Sequence, residues 1–137
     1  MNAIIRYLDG VRFECESRGH KVISDQPLEN GGDDAGMTPP ELLLGSLGAC
    51  AAFYAAQYLR IHKLPVEGLV VRVAAEKAAQ PARIGKFRID VDSPEAAKPG
   101  VSEGLLRAAK KCLIHNTLMI APVVDVVVNA PEPVAAA

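Results

Sequence analysis

The sequence lacks the features that identify several common classes of protein. Its 137 residues contain only three cysteines, Cys15, Cys50 and Cys112, which are too few and too widely spaced for the disulfide framework of a small secreted domain. Lysine and arginine number 15 and aspartate and glutamate 16, so there is no basic excess for binding nucleic acid or anionic membranes. No CxxC or HxxxH spacing, which closed zinc sites favour, is present.

Membrane and export signals are missing as well. The longest unbroken apolar run falls well short of a membrane span, although 50% of the residues are hydrophobic. The first residues, MNAIIRYLDG, show no basic leader followed by an apolar block and a cleavage site. We therefore expect a cytoplasmic protein whose cysteines are thiols unless a reaction oxidises them. The length fits a single domain over residues 1–137.

The most informative stretch is residues 38–62, TPPELLLGSLGACAAFYAAQYLRIH. Thr38 suits the N-cap of a helix, Pro39 suits the first helical position, and Glu41 completes a Thr-x-x-Glu capping box. Basic residues precede Pro65 at the other end. Between these ends the stretch is apolar nearly all the way round, whereas a surface helix would show a polar stripe. The pattern predicts one long helix covered by other elements, from this chain or from a second copy.

Short strands are predicted before this helix. Within residues 1–25, apolar and charged side chains alternate over residues 11–16, which is the period of a half-buried strand. Residues 9–10 and 17–20 are turn sequences, so the region predicts a β-meander. The acidic, glycine-rich residues 25–37 have little to bury and predict a mobile surface loop that leads into the helix.

The part of the chain after the helix, residues 66–128, predicts a β-pair, a second helix and a last strand. The pair is expected at residues 66–77 and 83–92, and the last strand from Val123 to Val128. Ser102 is the expected cap of the second helix, whose apolar face is made by Leu105, Leu106, Ala109, Cys112 and Leu113. The tail, residues 129–137, should be poorly ordered. The chain is thus predicted to be one α+β domain, with a long central helix packed against antiparallel sheets.

Cys50 and Cys112 are the candidates for chemistry. Cys50 lies several turns beyond the start of the long helix, so the dipole of its own helix cannot lower the pKa of its thiol. A reactive Cys50 would need a positive side chain or hydrogen-bond donors from elsewhere. Cys112, on the inner face of the second helix, can meet the long helix. The residues leave open a redox pair, two core thiols that only pack, and a metal site with His115 as a third ligand.

Two motifs, PPELLLGSLGAC ending at Cys50 and CLIHNTL beginning at Cys112, stand in this order with strands between them. Together with Gly19-His20 and the acidic glycine-rich loop, they resemble the OsmC/Ohr family of osmotically inducible and organic hydroperoxide resistance proteins. The resemblance extends over residues 4–128. It implies an intertwined homodimer whose two long helices lie in the centre, covered by β-sheets from both chains. It also implies a site at the subunit interface.

The resemblance further implies a role for each site residue in the response to oxidative stress. Cys50 would attack a small hydrophobic peroxide as a thiolate, and Cys112 would resolve the resulting sulfenic acid. Arg18, with Arg12 as the reserve, would activate Cys50, and Glu41 would orient the site. A dithiol reductant, of the lipoyl type in some members, would reopen the disulfide. No bound cofactor or metal is implied.

The sequence departs from the family pattern in two places. The glutamate of the peroxidases falls at Pro40 here, one position before Glu41, and Leu113-Ile114 replaces the Pro-Val that often follows the second cysteine. These departures motivate an alternative to the peroxidase. The protein would keep the fold, have little peroxidase activity, and bind a small hydrophobic ligand at the dimer interface.

Overall fold

Three helices, one of them long, and two antiparallel sheets are found in residues 1–130, the part of the chain that the computed structural model describes. The strands are β1 (Ile4–Asp9), β2 (Arg12–Ser17), β3 (His20–Ser24), β4 (Val70–Ala78) and β5 (Arg83–Asp92). The helices are α1 (Pro39–Ile61), α2 (Val101–Ala109) and α3 (Leu113–Met119), with 3-10 turns at Leu28–Asn30 and Pro94–Ala97. The predicted α+β class is confirmed.

The first sheet is the predicted meander, in the order β1-β2-β3. Asp9 pairs with Arg12, so Gly10 and Val11 form the first turn, one residue later than expected. Arg18 and Gly19 form the second turn, with positive φ values of 53° and 80°. Turns of this left-handed kind match the twist of the strands that they join. Arg18 is therefore presented at the exposed tip of a hairpin.

The loop after β3 is built around a buried carboxylate. Asp25 has no exposed surface and accepts hydrogen bonds from the backbone N–H groups of Gln26 at 2.8 Å, Asp33 at 3.1 Å and Ala35 at 3.0 Å. The Ala35 hydrogen bond is the largest cause of a lowered pKa for this carboxyl, which favours its charged form. Composition alone predicted a mobile loop with little to bury. The buried side chain of Asp25 contradicts the expectation of little to bury, and the mobility of the loop stays a prediction.

Two glycines in this loop stand where no side chain fits. A Cβ atom on Gly32 would lie 1.9 Å from the carbonyl oxygen of Gln26, and one on Gly36 would lie 2.3 Å from that of Ile23. Both contacts are with backbone, which cannot move aside without breaking the loop. The path from the first sheet to α1 is therefore tightly folded.

Helix α1 begins and ends where the sequence predicts. Thr38 is its N-cap and His62 its C-cap, so the helix proper is one residue shorter at each end than the predicted stretch. The Glu41 carboxylate accepts hydrogen bonds from the backbone N–H of Thr38 at 2.7 Å and from its hydroxyl at 2.8 Å. These bonds lower the pKa of Glu41. The Thr38–Glu41 interaction explains why the helix starts at this residue.

One face of α1 forms the core with α2 and the second sheet. Leu47, Ala51, Ala55 and Leu59, spaced four residues apart, are at most 1% exposed. Their spacing places them on one side of the helix, and Leu59 packs against the buried face of α2. By length and apolar composition α1 is also long enough to cross a membrane, but core helices pass the same test. In one chain only the face that carries Leu47, Ala51, Ala55 and Leu59 packs as a core helix does.

The prediction for the second helix needs three corrections. Gly100, with a φ of 75°, is the N-cap of α2, and Ser102 lies inside the helix. Leu106 and Leu113 are each 55% exposed, not turned inward. The helix ends at Ala109, so Cys112 lies beyond it. The sequence also predicts a further helical turn from His115, and α3 begins two residues earlier, at Leu113, after residues 110–112 interrupt the helix.

The predicted last strand is absent from the described chain. Residues 121–130 have no regular secondary structure, and the side chains of Val123 and Val128 are 88% and 93% exposed. The valine-rich pattern favours a strand, but a strand also needs a neighbour for its backbone hydrogen bonds. No strand of the described chain lies beside this segment. The predicted loose tail begins at residue 129, and residues 131–137 of it lie outside the described residues.

Candidate functional site

The fold brings Cys50 and Cys112 together. Cys50 lies in the middle of α1 and is half-buried, and Cys112 lies in the turn between α2 and α3 and is fully buried. The two thiols lie close enough for each to shift the pKa of the other, and both are free. They are therefore neighbours in the fold. The sequence alone did not determine whether Cys50 and Cys112 lie close together.

Cys112 is fixed by a second interaction. It is the N-cap of α3, and its Sγ accepts a hydrogen bond from the backbone N–H of His115 at 3.3 Å. A side chain that accepts from the third residue of a helix is the usual N-cap arrangement, here made with sulfur in place of oxygen. The Cys-x-x-His spacing therefore has a structural explanation that requires no metal.

The surroundings of the two thiols push their pKa values in opposite directions. Burial raises the pKa of Cys50, but hydrogen bonds from the Cys112 side chain and from the backbone N–H groups of Ile114 and Leu113 outweigh it, so the pKa is lowered. Burial and the hydrogen bond to Cys50 raise the pKa of Cys112. Cys50 is therefore the thiol that ionises first, with Cys112 as the donor beside it.

The two backbone donors were not identified from the sequence. The residues themselves indicated that a positive side chain or hydrogen-bond donors must come from outside α1, and the family resemblance implied an arginine. The sequence signal that could have indicated them is Cys112 as the N-cap of a new helix. Its side chain accepts from the residue three positions later, His115. Read as the start of a helix, that pattern predicts free N–H groups immediately after Cys112, at Leu113 and Ile114.

The predicted arginines lie away from the cysteines within one chain. Arg18 is at the exposed tip of the β2–β3 hairpin, and no polar contact joins it to α1 in residues 1–130. Arg12 donates to Asp9 at 2.7 Å and lies 3.8 Å from a carboxylate oxygen of Asp33. The lowered pKa of Cys50 owes nothing to either guanidinium.

Glu41 is occupied as a helix cap and is distant from Cys50 along α1. They are nine positions apart in the sequence, which corresponds to about 13 Å at the rise of an α-helix. A glutamate side chain cannot cover that distance within the same helix. In a single chain, Glu41 therefore acts on the start of α1 and not on the thiols.

Residues 1–130 offer no ligand set for a metal ion. No group of three or more histidine, cysteine, aspartate or glutamate side chains within this part of the chain is placed to hold one. The hypothesis of a site at Cys50, Cys112 and His115 therefore lacks support in the structure. The side chain of His115 instead lies near the amide oxygen of Asn116, 3.3 Å from its Nδ1.

The structure contains a large apolar groove. It has a volume of about 720 Å³ and runs between β5, α2 and α3. Its walls include Phe87, Leu105 and Met119, and Lys110 and His115 supply polar groups at its lining. Neither cysteine lines the groove, although His115 is only three residues beyond Cys112. The groove has the size and character of a small-molecule site.

Comparison with known proteins identifies the fold and the family. Residues 31–127 match the profile of OsmC-like proteins. A structure from Psychrobacter arcticus, classed as an osmotic stress induced and detoxification response protein, has a TM-score of 0.76 and 19% identity, covering 85% of this chain and 87% of that one. An OsmC-like protein from Mycoplasma pneumoniae has a TM-score of 0.70 and 19% identity, covering 88% and 87%.

A third structure is described as an organic hydroperoxide resistance protein, OsmC, from Legionella pneumophila. Its TM-score is 0.58 and its identity 18%, with 86% of this chain and 89% of that chain covered. A comparison with curated proteins gave no match. At these identities the structures show a common fold and leave the reaction open. The family profile covers more than half of the sequence, and the chain therefore belongs to the OsmC-like protein family.

Proposed function

We propose that this protein is a thiol-dependent peroxidase that reduces organic hydroperoxides in the cytoplasm as part of the defence against oxidative stress. The observation that carries the proposal is the proximity of Cys50 and Cys112, together with a Cys50 pKa that is lowered by the Cys112 thiol and by the backbone N–H groups of Ile114 and Leu113. A thiolate is the nucleophilic form of cysteine, and these donors favour it at Cys50.

The proposed reaction follows from the order in which the two thiols ionise. The Cys50 thiolate attacks the outer oxygen of the hydroperoxide, the O–O bond breaks, and the alkoxide takes a proton to leave as an alcohol. Cys50 is then a sulfenic acid. Cys112 attacks that sulfur, its proton leaves with the hydroxyl group as water, and a Cys50–Cys112 disulfide remains. A dithiol, such as a lipoyl-type reductant, restores both thiols.

A homodimer is part of the proposal, because α1 is poorly covered in one chain. Only 28% of its most apolar window is buried. The face that carries Gly45, Ala49 and Phe53 is exposed, with Phe53 at 58%. Small residues at a spacing of four allow a second helix to approach closely. A second copy would also bring its own Arg18 and Glu41, which cannot reach Cys50 within the same chain.

The proposal is tested by mixing reduced protein with cumene hydroperoxide in a stopped-flow instrument and counting free thiols. We expect rapid loss of Cys50 and Cys112, while Cys15 stays reduced and serves as an internal control. The Cys50→Ser variant should lose the reaction altogether. Cys112→Ser should still consume one equivalent of peroxide and stop at the sulfenic acid. Thiols that stay reduced over minutes at neutral pH would exclude the peroxidase.

The groove of about 720 Å³ favours a second function, the binding of a small hydrophobic ligand. Native mass spectrometry of protein purified from its own host should then show a co-purifying small molecule. The variant Leu106→Glu, at an exposed position of the groove lining, should release that molecule without disturbing the thiols. Failure to detect any bound molecule in the unaltered protein would count against this function.

A further inference from the structure

The apolar groove carries charges of one sign. Its charged or titratable lining residues are Lys86, Lys110 and His115, and none of the described lining residues is an aspartate or a glutamate. The Nζ of Lys86 is already paired with a carboxylate oxygen of Glu76 at 2.9 Å. Lys110 has no ion pair within residues 1–130. The groove therefore suits an apolar ligand with one negative charge, which Lys110 is placed to accept.

The groove lies away from the surfaces that the proposed homodimer covers. Its lining takes Leu47 from α1, and this leucine belongs to the buried face of that helix. The exposed face with Gly45, Ala49 and Phe53 lies on the other side, because two positions along an α-helix correspond to a rotation of about 200°. The described lining includes no residue of the first sheet. A ligand can therefore occupy the groove while a second copy covers both of these surfaces.

Helix α3 connects the groove to the thiols. His115, Leu118 and Met119 line the groove, and their spacing of three and four residues places them on one face of the helix. The first turn of the same helix supplies the backbone N–H groups that act on Cys50 and Cys112. One helix of seven residues thus takes part in both sites.

Within one chain, few contacts fix the position of α3. None of its residues is buried, and the side chains of Leu118 and Met119 are 40% and 71% exposed. Elements with little buried apolar surface belong to the less stable parts of a protein. A ligand that packs against Leu118 and Met119 would restrain the whole helix, including the first turn beside the thiols.

We propose that the groove is an effector site for a small apolar carboxylate and that α3 couples this site to the Cys50–Cys112 pair. The effector site builds on the ligand-binding function proposed above and adds the chemical class of the ligand and its effect. The alkyl body lies among the apolar side chains of β5, α2 and α3, and the carboxylate faces Lys110. A restrained α3 keeps its N–H donors in place, so occupancy favours the thiolate of Cys50. Such coupling is reciprocal, and the thiolate therefore favours the bound ligand.

Three decyl compounds that differ only in their head groups test the ligand class. Isothermal titration calorimetry of the reduced protein should show saturable binding of decanoate, weaker binding of 1-decanol and the weakest binding of decyltrimethylammonium. Lys110→Met keeps the side-chain length and removes the charge, so it should weaken decanoate binding by roughly threefold, the size expected for an exposed ion pair. Lys111→Met, at the next exposed position and outside the lining, is the matched control and should bind decanoate normally.

Two results of this titration would overturn the ligand class. One is equal binding of the three compounds, which would mean that the groove selects only for apolar surface. The other is no binding at all, which would follow if a segment of this chain or of a second copy fills the groove. A decanoate affinity that is the same in Lys110→Met and in Lys111→Met would overturn the assigned role of Lys110.

The coupling is tested on the thiolate itself, without any peroxide. At a fixed pH on the acid side of the Cys50 transition, saturating decanoate should raise the thiolate fraction by about fivefold. The ultraviolet absorbance of the thiolate measures this fraction, with Cys50→Ser protein as the blank. Leu106→Glu, which adds a negative charge to the groove lining, should remove the effect of decanoate.

A thiolate fraction that stays constant or falls while decanoate binds would overturn the coupling and leave the ligand-binding function standing. Failure of the proposed peroxidase reaction is a separate result, because neither measurement uses a peroxide.

Discussion

The first sheet and the α1–α2 core both have apolar side chains, but these side chains differ in how much of their surface is exposed. In β1–β3 one face is apolar, with Ile5 and Tyr7 paired opposite Cys15 and Phe13, yet Tyr7 is 65% and Phe13 39% exposed. In the core, Leu59 is 0% exposed. Both regions have regular backbone hydrogen bonding, so the difference lies in what covers the side chains. The side chains of the core are buried within one chain, whereas the apolar face of the first sheet stays exposed.

The opposite face of the first sheet carries charged side chains that pair across the strands. Arg6 donates to Glu16 at 2.6 Å, and Lys21 donates to Glu14 at 3.1 Å across the strands. A sheet with one charged and one apolar face is built to be solvated on one side only. Large exposed apolar patches commonly mark surfaces that meet another protein. The first sheet therefore fits the proposed homodimer, in which a second copy covers its apolar face.

The largest expected effect comes from a substitution in the buried α1–α2 core. Leu59→Ala should lower the free energy of unfolding by about 2–5 kcal/mol, because a fully buried leucine is replaced by a cavity. Chemical denaturation monitored by circular dichroism measures the loss. Ile61→Ala, at a 70% exposed position two residues away, is the matched control and should change the midpoint little. Equal effects at both positions would contradict the packing described for α1.

A change on the exposed apolar face of the first sheet should weaken dimer formation. Phe13→Asp places a charge on the apolar face of the first sheet and should weaken the dimer by roughly 3 kcal/mol, or about a hundredfold in the dissociation constant. Analytical ultracentrifugation over a range of concentrations measures the shift. Glu14→Gln, on the charged face of the same strand, should leave assembly nearly unchanged. A Phe13→Asp protein that assembles normally would show that this face is not covered by a second copy.

A smaller effect is expected where α1 meets α2. A Cβ atom on Gly104 would lie 2.0 Å from the hydroxyl oxygen of Tyr58, so Gly104→Ala should cost about 1–3 kcal/mol through overpacking. The double variant Gly104→Ala/Tyr58→Ala removes the obstructing ring. It should be less destabilised than the sum of the two single variants, which a double-mutant cycle measures. Strict additivity would mean that the two side chains do not compete for the same space.

The last expected change concerns pH and leaves the fold intact. Because the pKa of Cys50 is lowered, its rate of alkylation should rise with pH and level off below the range of an ordinary thiol. Cys112→Ala removes one hydrogen-bond donor to the thiolate, so the pH profile should move upward. Iodoacetamide labelling followed by peptide mass spectrometry gives both profiles. A profile that is unchanged in Cys112→Ala would show that the two thiols do not interact.

The sequence was sufficient where the structural signal is local. Thr38, Pro39 and Glu41 specify the start of α1, and the turn residues before β2 and β3 are placed within a residue. The prediction was wrong where the outcome depends on distant neighbours. Val123 to Val128 has the composition of a strand but no strand beside it in one chain.

The site was predicted in part for a similar reason. Proximity of Cys50 and Cys112 was one of several open hypotheses, because helix faces do not determine how two helices meet. The end of α2 at Ala109 could not be foreseen from apolar periodicity, since Cys112 and Leu113 continue the same pattern past the turn. Roles for Arg18 and Glu41 stay predictions, as they depend on a second copy of the chain.

The buried carboxylate of Asp25 has a consequence for how this sequence can diverge. The loop that it organises is held by backbone N–H groups, which every residue except proline provides. The side chains of Glu29 and Asn30 are exposed and free to change. Asp25 accepts with both carboxylate oxygens, which asparagine cannot do, and a Cβ atom does not fit at Gly32 or Gly36. In sequences descended from this one, we expect the other residues of the loop to be substituted, while the loop length and the residues at these three positions are conserved.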